Sequence, residues 1–480
     1  MRTRVMAAAA VVVGGSLGIP GCGAETPVAN DTEEAASMAL TFRHTHGRSL
    51  DPDTEFYVPT PDDAAVAQTR ELLRTRKISD ARKLIALTNT SSGAWFTGGT
   101  PCEVRKAVRQ TMVAAESEHR VPVLVAYNVP YRDCSQYSGG GAADTAAYKA
   151  WIDGFAQGIG TGKAVVILEP DALGIIPYNT TIYGSADWCK PTVTDSAGNS
   201  IPAPGASPEE RYAQINYAVD SIESHAPRTS VYLDSTHSAW LAPGEAAYRL
   251  IKAGVERAQG FFLNVSNYQL TSDCIQFGTW VSDAIAAPSG APSWAFDDNG
   301  NFHFDWLPSQ WDPATNYTTA NYSPDYAATV TAGIQAFMGS AVATMHFVID
   351  TSRNGRGPLE VARFAEPPYN QPEAVLRGLS AGAWCTPPGT GLGLRPTTET
   401  GVPLLDAYLW IKTVGESDGS CDISGGTRAW DYDRYNPWGI AGESQKHFDP
   451  LWGMIDPAAG TWFPAHALDL AEKAQPPLLP

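Results

Sequence analysis

Two short segments place carboxylates directly after apolar runs. Tyr131-Arg132-Asp133-Cys134 follows residues 121–129, and Glu169-Pro170-Asp171 follows residues 164–168. Apolar runs of this length read as buried strands. Carboxylates at the ends of two neighbouring strands can face each other across a cleft. That arrangement protonates a glycosidic oxygen on one side of a sugar and manages charge or water on the other. A general acid must stay protonated near neutral pH, and partial burial beside a second carboxylate raises its pKa. Asp171 is the candidate acid, Asp133 its neighbour and Arg132 the charge balance. Glu169 is either a binding group or a packed, hydrogen-bonded strand-end carboxylate.

A third carboxylate, Asp418, lies in the segment Lys412-Thr413-Val414-Gly415-Glu416-Ser417-Asp418. It reads as a base on the far face of the sugar, with Lys412 and Glu416 bonding sugar hydroxyls, or as part of a solvated turn. Cys421 nearby argues against a mobile turn. Fourteen tryptophans are many for 480 residues, and aromatic faces pack on the C–H faces of pyranose rings. Trp95, Trp240 and Trp384 follow strands or adjoin turns and are candidates for such stacking; Trp151 and Trp280 sit at helical spacing and read as core. His237 lacks the Gly-x-Ser-x-Gly elbow of a hydrolase triad, so it reads as a binding or structural residue. No paired histidines or Cys-x-x-Cys spacing suggests a metal, and no cofactor is expected. Ser138-Gly139-Gly140-Gly141 lacks the Lys-Ser/Thr of a phosphate loop; it reads as a flap beside Asp133 that closes over substrate.

The elements that must position these residues form an alternation. Apolar runs at 84–87, 121–126, 164–168, 230–233, 260–265 and 346–349 are separated by helical patterns. Residues 208–224 place Tyr212, Ile215, Val219 and Ile222 on one face, and residues 143–158 do the same with Tyr148, Trp151, Ile152 and Phe155. Alternating strands and helices imply an α/β fold with a parallel sheet and an active site at the carboxyl ends of the strands. Those ends carry Thr88-Asn89, Tyr127-Asn128, Glu169, Asp234, Asn264 with Asn267, and Asp350, which together suggest a shared polar cleft. The long aromatic stretches 288–325 and 423–464 read as loops that roof it.

The net charge of −18 (33 basic, 51 acidic) disfavours nucleic acid and anionic membrane but not a neutral polysaccharide. Arg2, Arg4 and the apolar run 6–13 read as an export signal over residues 1–21. Ile19-Pro20-Gly21-Cys22 resembles a bacterial lipobox, which would lipidate Cys22; ordinary cleavage nearby is the alternative. Residues 22–45 read as a tether and 46–476 as one catalytic domain. Of seven cysteines, removing Cys22 leaves six (Cys102, Cys134, Cys189, Cys274, Cys385 and Cys421), consistent with three disulfides in an exported protein.

Over roughly residues 50–475 the ordered segments resemble glycoside hydrolase family 6, the inverting cellulases. They are 127–134, 166–174, 232–240, 263–268, 348–355 and 409–419. The resemblance implies a distorted, incompletely closed seven-stranded parallel β/α barrel with a substrate tunnel or groove. It implies Asp171 as general acid, Asp133 as the group that raises its pKa, and Tyr127 against the distorted sugar. Asp234 becomes a further cleft carboxylate and Asp418 the debated base. Trp95, Trp240, Trp384, Lys412 and Glu416 match sugar-binding positions, and the pairings Cys134–Cys189 and Cys385–Cys421 follow. Cys102 and Cys274 then remain to pair with each other. The long segments 175–207, 288–325, 355–372 and 423–464, and the ending 454–464, resemble the bacterial cellobiohydrolases that release cellobiose from non-reducing ends. An endo-acting glucanase with an open groove and an inactive glycan-binding lipoprotein are the alternatives. The expected partner is cellulose or cello-oligosaccharide, the expected state a secreted or surface-anchored monomer.

Overall fold

The computed structural model describes residues 50–134, 136–317 and 319–479. The expected signal, tether and Cys22 lie outside the described residues. The strands are β1 (Ala94–Phe96), β2 (Val123–Ala126), β3 (Ala164–Leu168), β4 (Thr192–Thr194), β5 (Ser200–Pro202), β6 (Thr229–Asp234), β7 (Gly260–Leu263), β8 (His346–Asp350) and β9 (Leu405–Leu409). Strands β4 and β5 make an exposed antiparallel hairpin. The other seven form one parallel sheet in the order β1-β2-β3-β6-β7-β8-β9.

The two edges of this sheet approach each other without forming a ladder. Gly93 N–H donates to Trp410 O at 2.8 Å and Trp95 Nε1 donates to Ile411 O at 2.9 Å. A side chain at Gly93 would put its Cβ 2.3 Å from Ile411 O, so only glycine fits the seam. The fold is therefore an incompletely closed β/α barrel.

Strand periodicity sorts the core into two layers. Val123, Val125, Val165, Ile167, Tyr232, Phe262, Val348, Ala407 and Leu409 fill the barrel interior. Their chain neighbours Leu124, Ala126, Val166, Leu168, Val231, Leu233, Phe261 and Ile349 pack outward against the helices. Both faces are buried, which is why these strands read as continuous apolar runs rather than alternating ones.

Helix Pro208–His225 buries Ile215, Val219 and Ile222, and helix Thr145–Ile159 buries Tyr148, Trp151, Ile152 and Phe155, as their spacing predicts. Trp280 is also core. Pro at the first turn and a Ser207 cap start the first of these helices, and Thr100 with Glu103 forms a capping box on helix Pro101–Ser117.

Three expectations are corrected. Residues 84–87 lie in helix Ile78–Thr88, which buries Ala81, Leu84 and Leu87 at intervals of three; a four-residue apolar run has no period of its own. Thr88 and Asn89 therefore end a helix, not a strand. No described residue of stretches 288–325 and 423–464 lines the cavity described below. Phe304 and Leu307 pack against Ala247 and Ala284, while Trp430 and Trp438 pack with Leu359, Phe364 and Leu379. Trp430 and Trp438 thus pack on each other and on this cluster rather than roofing a cleft, while Trp294 and Trp306 stay about half exposed.

Candidate active site

The inward alternation runs to the carboxyl ends of four strands, and there the side chain turns polar: Asp234 and Asp350 close β6 and β8, and Glu169 and Asn264 come directly after β3 and β7. All four are buried. Glu169 Oε2 accepts the N–H groups of Asn128 and Val129 at 2.8 and 2.9 Å. Asp234 accepts those of Leu173 and Gly174 at 3.0 Å each, and that of Thr236 at 2.9 Å. Asn264 donates to Asp350 O at 3.0 Å and accepts from Gln269 N at 3.0 Å. Asp350 accepts from Ile411, Lys412, Ser266 and Ser352. Buried backbone N–H groups at loop starts need acceptors. These side chains supply them and stitch each strand-end loop to the next. The polar strand ends are thus largely a brace beneath the cleft. Asp234 and Asn264 belong to that brace and do not line the cavity.

The braced loops hold unusual backbone. Asp133, Glu169, Asp171, Thr236, Asn264 and Ser266 have φ of +51°, +53°, +65°, +57°, +68° and +58°. Non-glycine residues rarely occupy this left-handed region, and such strain persists only where surrounding contacts enforce it.

Above the brace lies a cavity of about 470 Å³. Trp95, Tyr127, Asp133, Ser138, Asp171, His237, Trp240, Asn267, Trp384, Lys412 and Asp418 line it, gathered from across the sequence. Gln136, Ile175, Trp188, Ser266 and Ala381 complete the lining and were not anticipated; Trp188 had a signal, its place beside Cys189. Arg132 and Glu416 lie outside the lining. Arg132 clamps backbone carbonyls instead, donating to Ser138 O (3.1 Å), Thr97 O (2.6 Å) and Tyr127 O, with its guanidinium 4.7 Å from the Tyr127 ring centre. The glycine run after Ser138 is tied down by Gly140 N–H to Arg132 O and Ala142 N–H to Asn128 O.

The carboxylates differ in state. Burial, then the charges of Asp234, Asp133 and Asp418, push the Asp171 carboxyl well above its usual range. Burial raises Asp133 to about 6, against the opposing Ser138 N–H (2.8 Å) and the Arg132 charge. Asp418 goes the other way. Burial would raise it, but Arg353, Lys412 and the Thr386 N–H override that and hold it at about 2. Arg353 Nη1 reaches both its oxygens at 3.0 and 2.8 Å, and Tyr268 Oη donates at 3.2 Å. Lys412 Nζ lies 3.7 Å from Asp418 and 3.8 Å from Glu416. His237, lowered to about 4 by burial, is neutral; its Nδ1 accepts the Ala239 N–H, so Nε2 keeps the proton.

Two disulfides frame the cavity. Cys134–Cys189 fixes residues next to Asp133 and Trp188, and Cys385–Cys421 fixes the loops of Trp384 and Asp418. The expected pairing of Cys102 with Cys274 does not form. Cys274 is a buried free thiol on helix Thr271–Ala286, 3.8 Å from Ser238 Oγ.

A parallel, incompletely closed barrel with acidic groups at the carboxyl ends of its strands is the architecture on which β/α-barrel enzymes build their active sites. Residues 51–474 match the family described as Glycosyl hydrolases family 6, and the chain belongs to that family. It is similar to Endoglucanase A of Thermobispora bispora, 30% identical over 76% of this chain. Endoglucanase 1 of Streptomyces sp. (strain KSM-9) is 32% identical over 68% of it. The chain spans 58% and 64% of the lengths of these two relatives. Among solved structures it is similar to the endoglucanase Cel6 from Mycobacterium tuberculosis in complex with methyl-cellobiosyl-4-deoxy-4-thio-β-D-cellobioside. That similarity is at 28% identity and a TM-score of 0.53, covering 88% of this chain and 97% of that one.

Proposed function

We propose that the protein hydrolyses β-1,4-glucosidic bonds within chains of cellulose or cello-oligosaccharides, with inversion. The observation that carries this reading is the place of Asp171 in the cavity lining, where burial and three other carboxylates push its pKa well above the usual range. It donates its proton to the departing glycosidic oxygen. Asp133 holds that proton in place before reaction through its charge. Tyr127, set edge-on to Trp95 at 5.3 Å, forms the floor beneath the sugar. Asp418 matches the family's debated base, but a carboxylate at about 2 with its oxygens occupied takes up protons poorly. We assign it a fixed negative charge that stabilises the oxocarbenium-like transition state. The attacking water then passes its proton on through further solvent. Trp95, Trp240 and Trp384 stack on sugar faces, and His237 and Lys412 donate to hydroxyls. We infer export of the protein, supported by its disulfides.

Endo action is supported by the endoglucanases to which the chain is similar, and by the cavity lining, to which no described residue of 288–325 or 423–464 contributes. Release of cellobiose from non-reducing ends is the second reading, favoured by Trp188, which brings the 175–207 loop to the cavity wall. Early attack on carboxymethyl cellulose separates them. A steep viscosity fall per reducing end formed is expected, with α-configured first products by NMR. Cellobiose as nearly the sole early product, with viscosity maintained, would reverse the assignment.

The pH profile tests the Asp133–Asp171 pair. Ionised Asp133 raises the Asp171 pKa, so Asp133→Asn removes an upward push. The alkaline limb of kcat/KM should move to lower pH, read as a property of the coupled set. An unmoved or raised limb contradicts the pairing.

A further inference from the structure

We propose that Trp188, Tyr183, Trp306 and Trp294 form an aromatic track that carries a β-1,4-glucan chain from the rim of the cavity outward over the protein surface. The inference rests on the glucan reading above and extends its binding site to residues outside the cavity.

Trp188 lines the cavity and is 52% exposed. The segment before it folds back on itself, with Thr181 N–H donating to Ser185 O at 2.8 Å and Asp187 N–H to Asn179 O at 2.9 Å. Tyr183 sits at the tip of this hairpin and is 47% exposed. The base of the hairpin is pinned by the Cys134–Cys189 bridge and by Arg249 against Asp187 at 3.2 Å. The tip lands on the start of helix Pro243–Lys252, where Ile182 N–H donates to Glu245 Oε2 at 2.8 Å.

The next part of the track meets the same spot. A Cβ on Gly244 would lie 2.2 Å from Phe304 O and 3.5 Å from Tyr183 Oη. The absent side chain lets the hairpin tip and the turn Phe304–Trp306 converge there. Burial of its inner edge, then the Glu245 and Asp305 carboxylates, raise the Tyr183 phenol pKa, consistent with that convergence.

Trp306 and Trp294 follow, 48% and 59% exposed, with ring centres 6.4 Å apart and planes within 17°. His303 stacks parallel on one face of Trp306 at 3.8 Å. Phe337 buttresses Trp294 edge-on at 5.3 Å.

Large aromatic rings exposed this far in succession leave apolar area in water, which a soluble surface avoids unless a ligand covers it. The occupant must be apolar on its faces, hydrogen-bonding at its edges and uncharged. Pyranose C–H faces fit rings of this kind. A net charge of −18 and the Asp305 carboxylate beside Trp306 disfavour an anionic polymer or lipid surface. Continuity with Trp188 makes the occupant the same chain that enters the cavity.

The test uses the full chain carrying Trp294→Ala and Trp306→Ala. With hydrolysis blocked by Asp171→Asn, binding to swollen cellulose should weaken about tenfold. In the otherwise unaltered enzyme, cellotetraose, too short to reach the outer rings, should be cut at the original rate. Trp306→Phe alone keeps a flat ring and should retain most of the binding. Equal binding by the double variant, with hydrolysis intact, overturns the track. Loss of self-association in sedimentation, rather than loss of cellulose binding, would assign the patch to a second copy and also overturn it. Failure of the unaltered protein to cut any glucan refutes the function reading instead.

Discussion

Asp171→Asn is expected to lower turnover on swollen cellulose by about 10³-fold, within the span that general acid catalysis supplies. The substitution is close to isosteric and removes only the transferable proton. Because burial and the surrounding carboxylates push the Asp171 pKa well above its usual range, they favour its neutral form, and a neutral amide should change little of the local charge. Folding and glucan binding should therefore be retained, and the loss should fall on kcat. An aryl cellobioside with an acidic phenol departs without protonation, so the variant should recover most of its rate on that substrate. Reducing-sugar release above about a tenth of the unaltered rate would remove Asp171 as proton donor. An equal loss on the activated aryl substrate would mean that its contribution is not proton transfer.

The candidate site was legible because strand ends are. Asp133 and Asp171 follow buried runs that the structure confirms as strands β2 and β3, and a parallel barrel presents such residues on one rim. The role of the other polar strand ends was harder to read. Asp234, Asn264 and Asp350 have the residue types of a cleft, but sequence does not say whether a carboxylate meets solvent or a neighbouring loop's N–H groups. Only their step of two from Tyr232, Phe262 and Val348 hints at the buried side. Trp188 and Gln136 reach the cavity through loop paths that the Cys134–Cys189 bridge sets across 55 residues, a separation no local pattern reports. Strand β1, three residues long and half-buried, gives no periodic signal. In the long loops, Trp430 and Trp438 have the composition of a sugar platform, yet their neighbours Phe364 and Tyr435 cover them.

Arg353, which lies within segment 348–355 and has no role assigned from sequence, carries the other large effect. Its side chain is fully buried and grips Asp418 with one nitrogen, donates to Ser266 O with the other, and lies 4.5 Å from the Tyr268 ring centre. Removing one partner of such a pair strands a buried charge and costs about 3–5 kcal/mol. Arg353→Met should show that loss in denaturant unfolding at pH 7. The sign with pH follows from the Asp418 shift. Its folded pKa of about 2 lies below the usual 3.8, so the native protein gains stability above 3.8 and loses it as pH falls through 2. Without Arg353, burial dominates and the Asp418 pKa rises, so the variant's deficit should be largest at neutral pH and shrink toward pH 4. Adding Asp418→Asn to Arg353→Met discharges the stranded carboxylate and should restore part of the stability, a coupling visible in the double-mutant cycle. A deficit under about 1 kcal/mol, or a double variant no more stable than Arg353→Met alone, would show that this buried pair does not hold the floor of the cleft together.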